Sequence, residues 1–74
     1  MDEILNRITV NQNKCGGLPC IRGMRIRVID ILDLLSSGLS QENILKEMPD
    51  LVLDDIKAAV MYARNYINHP VIRV

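Results

Sequence analysis

The 74-residue sequence has no tryptophan, no phenylalanine, a single histidine and only two cysteines. Without Trp or Phe, a core has to be assembled from Leu, Ile, Val, Met and Ala, the usual material of packed helices. With His69 as its one histidine, the chain offers no Ser/His/Asp set. It has no glycine-rich phosphate loop opening a helix, and no paired carboxylates in a pocket-like setting. These gaps predict a protein that is not an enzyme and needs no cofactor. No stretch approaches the ~20 consecutive apolar residues of a membrane span. The first residues lack a charged-then-apolar signal pattern. The expectation is a cytoplasmic protein with no membrane partner, in which Cys15 and Cys20 remain reduced thiols.

What is present in abundance is aliphatic: 49% of residues are apolar. That exceeds what three short elements hide easily, so part of it is expected to face another chain, as a homodimer or a hetero-oligomer. Formal net charge is zero, but its distribution is uneven. From Ile4 to Ile29 the charged residues are Arg7, Lys14, Arg22, Arg25 and Arg27, with no acid. Asp30, Asp33, Glu42, Glu47, Asp50, Asp54 and Asp55 then outweigh Lys46 and Lys57, before Arg64 and Arg73 make the end basic again. A polyanion should therefore meet the front of the chain rather than its middle.

The periodicity predicts a mainly α fold: a three-helix helix-turn-helix domain with a short N-terminal β element. Residues 1–27 form the β and Cys/Gly-rich basic part, 28–68 the three-helix core, and 69–74 an extended tail, all in one domain. Arg7-Ile8-Thr9-Val10 reads as a strand, and Arg25-Ile26-Arg27-Val28 alternates as a second one. Between them, Gly16-Gly17 and Arg22-Gly23 mark tight turns, and Pro19 keeps Leu18 extended.

The first helix, Ile29 to Ser37, shows Val28, Ile31, Leu32 and Leu35 at helical spacing, and Gly38 occupies the left-handed C-terminal cap position. Ser40 caps a second helix carrying Ile44, Leu45 and Met48, which Pro49 ends. The third helix starts near Asp54 and Asp55, whose charges suit its N-terminal dipole, and runs to about Asn68. Its stripe is Ile56, Ala59, Val60, Ala63 and Ile67. Pro70 blocks continuation, and Val71 to Val74 is an apolar tail suited to adding as a strand.

Two cysteines and a distant His69 do not make the four ligands of a structural zinc, so no metal is expected. Cys15 and Cys20 read as two small thiols packing a tight loop, with a redox pair as the alternative, because a four-residue gap lets a turn bring the sulfurs together. Lys14, Arg22, Arg25 and Arg27 are the candidate DNA-binding residues, since guanidinium forks suit phosphates and guanine edges. The competing reading pairs the arginines with Asp30, Asp33 or another surface acid. Asp54 and Asp55 argue against ordinary use of the third helix as the reading helix, since carboxylates at its start repel phosphate. Tyr62, Arg64, Tyr66, Ile72 and Arg73 are the candidate partner-binding residues: both tyrosines lie one turn apart and are amphipathic. The alternative is that the tyrosines cap the domain's own core.

The run Cys15-Gly16-Gly17-Leu18-Pro19-Cys20-Ile21-Arg22-Gly23-Met24-Arg25-Ile26, preceded by Arg7 to Asn11 and followed by Ile31-Leu32 and Gly38-Leu39-Ser40, resembles the bacterial "domain of unknown function 433" family. Ile44-Leu45 and Pro49-Asp50-Leu51 through Asp55 to Ala59 fit it as well, so the resemblance covers roughly Arg7 to Arg64. It implies a homeodomain-like fold and the antitoxin half of a toxin–antitoxin pair, whose toxin is a PIN-like ribonuclease. By that likeness the chain would silence the toxin and repress the shared operon by binding operator DNA. It implies no catalytic residue. One departure stands out: Val52-Leu53 replaces the Thr-Leu that commonly opens the third helix, which leaves capping to Asp54 or the connector. A stand-alone dimeric DNA-binding regulator and a plain interaction adaptor are the other two functions considered.

Overall fold

The computed structural model describes residues 3–67. His69, the tail of Val71 to Val74 and the end of the third helix at Asn68 lie outside the described residues, as do two of the expected partner contacts, Ile72 and Arg73. The fold is mainly α. A 3-10 turn over Glu3–Arg7 leads into strand β1 (Ile8–Thr9), which pairs antiparallel with β2 (Cys20–Ile21) in the register Ile8↔Ile21 and Thr9↔Cys20. Three helices follow: α1 (Val28–Ser36), α2 (Gln41–Glu47) and α3 (Leu53–Ile67).

The expected second strand at Arg25–Val28 is replaced by Cys20–Ile21, and only an isolated bridge between Cys20 and Arg27 remains of it. The cause is local. Arg27 is already the N-cap of α1, so the backbone leaves extended geometry one residue later. Ile21 N–H donates to the Ile26 carbonyl at 2.9 Å, and Val28 N–H to the Pro19 carbonyl at 3.0 Å, which fastens this segment to the hairpin all the same.

The helix ends are written in the sequence. At the end of α1 Gly38 adopts φ +99°, its N–H donates to the Leu35 carbonyl at 3.0 Å, and Leu39 N–H donates to the Leu34 carbonyl at 3.2 Å. That is a Schellman closure, which a side chain at a left-handed position would strain. Ser40 Oγ accepts from Asn43 N–H at 3.1 Å and starts α2. The start of α3 uses neither Asp54 nor a hydroxyl. Asp55, the third residue of the helix, reaches back to accept the Val52 N–H at 3.0 Å.

One core unites the elements: Ile21 from β2, Val28 and Ile31 from α1, Ile44 from α2, Leu51 from the connector, and Ile56 and Ala59 from α3. Burying each aliphatic side chain contributes about 1.5–3 kcal/mol. The α3 stripe is shorter than its periodicity predicts. Ile56 and Ala59 are buried, but Val60 is exposed and Ile67 is 69% exposed. Val60 and Ile67 thus lie on the solvent side of α3, while Tyr62 between them packs against the core.

Candidate functional site

Two features are built on this frame, an ion cluster under the basic turn and an apolar groove beside α3. The ion cluster centres on Asp55, whose side chain is fully buried. Arg22 grips it in two places, Nε to Oδ1 at 3.0 Å and Nη2 to Oδ2 at 2.7 Å, and donates a third bond to the Asp50 carbonyl at 2.9 Å. Arg7 Nη1 reaches Oδ1 at 3.0 Å from the other side and lies 3.8 Å from Asp54. Burial is the largest influence on the Asp55 carboxyl and pushes its pKa up. Hydrogen bonds from Arg22, the Val52 amide and Arg7 together outweigh it and hold the group below the usual carboxylate range.

Arg22 is placed by strain as well as by charge. It adopts φ +47°, a left-handed conformation that costs a non-glycine residue on the order of 1 kcal/mol. Its N–H donates to the Arg7 carbonyl at 2.6 Å, and Gly23 N–H donates to Thr9 Oγ1 at 3.0 Å. The turn therefore aims Arg22 inward. Cluster, turn and hairpin form one unit that locks the N-terminal segment to the start of α3.

The other basic residues divide in the same way. Arg27 is bidentate on Asp30, at 3.2 and 2.7 Å, and its amide donates to the same carboxylate at 3.0 Å. The Arg27 side-chain bond is the chief reason the Asp30 carboxyl also sits below its ordinary pKa. Lys14 Nζ donates to the Gly23 carbonyl at 3.1 Å and ties the Cys/Gly loop to the second turn. Arg25 is exposed, and among the described residues it makes no hydrogen bond or ion pair. Of the four residues expected to face DNA, Arg22 and Arg27 thus hold intramolecular carboxylates, Lys14 braces a turn, and Arg25 stands clear. Sequence reasoning missed Arg7 and the central role of Asp55. An aspartate in a helix's first turn looks like ordinary dipole complementation, and its two arginine partners lie 33 and 48 positions away.

The cysteines differ from the expectation of free thiols. Cys15 and Cys20 are joined by a disulfide across the Gly16-Gly17-Leu18-Pro19 loop, with Cα atoms 6.8 Å apart. The loop coils left-handed through three successive residues: Cys15 (φ +54°), Gly16 (+63°) and Gly17 (+82°).

The loop's far side forms one wall of the apolar groove. A hollow of about 180 Å³ lies between Leu18–Pro19 of the loop, Val28, Ile29 and Leu32 of α1, and Tyr62, Ala63 and Tyr66 of α3. A second, more open hollow continues it past Leu32 and Ala63 to Val60, Arg64 and Ile67. Tyr62 leans on the core, while Tyr66 is 69% exposed. Their rings lie 4.9 Å apart at a 58° tilt, and the Tyr62 hydroxyl donates to that of Tyr66 at 3.2 Å. Arg64 sits at the rim and donates to Asn65 Oδ1 at 3.1 Å. Three of the five expected partner residues, Tyr62, Arg64 and Tyr66, are thus brought together along this groove.

The hydrogen bond to Tyr66, followed by burial, pushes the Tyr62 phenol up to about 12. An ultraviolet absorbance titration should show Tyr62 ionising only near that pH, and Tyr66→Phe should bring it back toward the ordinary tyrosine value of about 10. An unchanged titration in Tyr66→Phe would remove the hydrogen bond as the cause.

Among the described residues no helix is long and apolar enough to cross a membrane. Among the same residues, no three metal-ligating side chains converge. A family model described as "Protein of unknown function (DUF433)" matches residues 8–63, from β1 through most of α3. The "Uncharacterized protein y4eO" of Sinorhizobium fredii (strain NBRC 101917 / NGR234) is 34% identical over 56 residues, which are 76% of this chain and 25% of the relative. The chain therefore spans about a quarter of the length of that curated relative. No solved structure matches the chain.

Proposed function

Because the chain belongs to the DUF433 family of proteins of unknown function, we propose its role from its own surfaces: a cytoplasmic, non-enzymatic antitoxin that holds a PIN-like ribonuclease toxin in the groove between α1 and α3. The observation that carries this reading is the apolar face of α3, exposed at Val60, Tyr66 and Ile67, in a domain whose core is already closed. Contiguous exposed apolar surface beside rigid aromatic anchors is what a protein partner covers. Arg64, at the groove's rim, reaches toward the toxin's carboxylates and pairs with them in place of a metal.

The test is co-expression with the adjacent open reading frame, followed by pull-down and growth of cells carrying that neighbour alone. A neighbour that co-purifies and poisons cells only when this chain is absent supports the antitoxin reading. A harmless neighbour that does not co-purify removes it.

Operator binding is the second half of the proposal, and it rests on Arg25. One observation favours an adaptor that never touches DNA: the other three expected basic contacts are committed within the chain. Arg25→Ala separates the two. If DNA is bound, retention in a gel shift falls, and the salt dependence flattens by about 0.9 log units per decade of salt for each lost phosphate contact. An adaptor shows no retention with or without Arg25.

A further inference from the structure

We propose that the Cys15–Cys20 disulfide is a reversible redox latch that sets the shape, and so the binding strength, of the apolar groove. The proposal concerns the groove assigned above to the toxin and rests on that reading for its biological meaning, while its test requires neither toxin nor DNA.

The argument begins with Cys15. A residue with a β-carbon at φ +54° is held in a sparsely populated conformation and stays there only where its surroundings impose it. Gly16 and Gly17 share the left-handed coil without penalty, and no heavy atom stands within 4 Å of where a β-carbon would be at either one. The turn's own backbone bonds, Gly17 N–H to the Lys14 carbonyl at 2.9 Å and Leu18 N–H to the Cys15 carbonyl at 3.0 Å, favour this coil. The bond to Cys20, which is buried and belongs to β2, holds Cys15 in it against the strain. Leu18 and Pro19 lie inside the covalent ring so formed, and they are the loop's contribution to the groove wall opposite Tyr62 and Tyr66. Opening the disulfide releases Cys15 from the left-handed region, and Leu18, itself exposed, loses its fixed position over the tyrosines. A crosslink in a cytoplasmic protein is in general transient and regulatory rather than structural, which suits a latch.

The exchange balances with a small-molecule disulfide such as oxidised glutathione. Cys15, the more accessible cysteine, attacks as thiolate: one glutathione sulfur bonds to Cys15 and the other leaves as thiolate. The Cys20 thiolate then attacks the Cys15 sulfur, forming the ring and releasing the second glutathione. The protein loses two electrons and two protons, and the oxidant becomes two thiols. Excess reduced glutathione reverses both steps.

The sequence supplies a built-in probe. It has two tyrosines and no tryptophan, and both tyrosines line the groove. Intrinsic fluorescence therefore reports on this wall alone. The experiment equilibrates the full chain in glutathione buffers of stepped ratio and confirms the crosslink by a mass difference of two hydrogens. It then reads tyrosine fluorescence and the affinity for the apolar dye anilinonaphthalene sulfonate. The crosslinked form is expected to bind dye about fivefold more tightly, the equilibrium equivalent of the strain at one left-handed non-glycine residue.

Two variants assign the cause. Cys15→Gly accepts φ +54° without a crosslink and should resemble the oxidised protein at every ratio. Cys15→Ser should resemble the reduced one. Dye binding and fluorescence that stay the same while the mass reports both forms overturn the proposal. So does a crosslink that never forms in glutathione, or a Cys15→Gly variant that behaves like Cys15→Ser. Each of these failures leaves the antitoxin reading untouched.

Discussion

Replacing Asp55 with alanine is expected to cost the domain about 3 kcal/mol, the lower end of the usual penalty for removing one partner of a buried ion pair. The lower end applies because the side chains of Arg22 and Arg7 are 39% and 31% exposed and partly rehydrate when the carboxylate is gone. The substitution also strips the Val52 amide of its acceptor at the start of α3. In a chain of this size that loss lowers the melting temperature by on the order of 15 °C. Urea unfolding followed by circular dichroism measures it directly. A midpoint within error of the parent protein would mean that the cluster is ornamental.

The same cluster fixes the sign of the acid response. The folded-state pKa of Asp55 lies below its unfolded value, as does that of Asp30. Their contribution is therefore present above the unfolded aspartate value of about 3.9 and is lost as the pH falls through the depressed folded values. The parent protein should lose stability below about pH 4 more steeply than Asp55→Ala, which has already lost that part of the slope.

The second large effect belongs to the groove. Ala63 lines both hollows and lies where the loop, α1 and α3 meet. Ala63→Glu places a carboxylate in the middle of the apolar face while keeping a good helix former in α3. Capture of the toxin should weaken about a hundredfold, as when a central anchor of an interface is lost. Growth rescue should fail, while helicity and urea midpoint stay near the parent values. A binding assay paired with unfolding separates this outcome from a folding defect. Retained capture would move the toxin contact away from α1 and α3. A charged residue at Val52, exposed and lining neither hollow, serves as the control and should leave capture unchanged.

The helices could be read from the sequence because their signals are local. Gly38 could only be a left-handed cap after α1, Ser40 could only start α2, and the spacing of Val28, Ile31 and Leu35 defines a face wherever the helix happens to pack. The hairpin was harder. Two segments alternate equally well, and the choice between them depended on Arg27 being consumed as the cap of α1, which is a competition and not a propensity.

For the candidate site, Tyr62 and Tyr66 were legible as a pair because one helical turn separates them, and Arg64 because it follows on the same helix. The basic turn was legible as a concentration of charge, but where each charge points was not. Arg22 and Arg25 are three residues apart in one turn, yet the guanidinium of one is held on Asp55 while the other stands clear of any partner among the described residues. Neither residue type nor spacing distinguishes them.

What the sequence determined by itself is the set of short-range facts: three helices, the caps at Gly38 and Ser40, two tight turns, an aliphatic core, and a stretch from Ile4 to Ile29 with positive charge and no acid. Tertiary structure alone decided the rest. It buried Asp55 between two arginines from distant parts of the chain, left Val60 and Ile67 of the α3 stripe uncovered, joined two cysteines into a ring, and set that ring against the tyrosines. Local signals survive in sequence because neighbours along the chain stay neighbours in space. Charge partners, burial and the walls of a groove are fixed only when segments far apart are brought together, and there the same residue can serve the core, the surface or a partner.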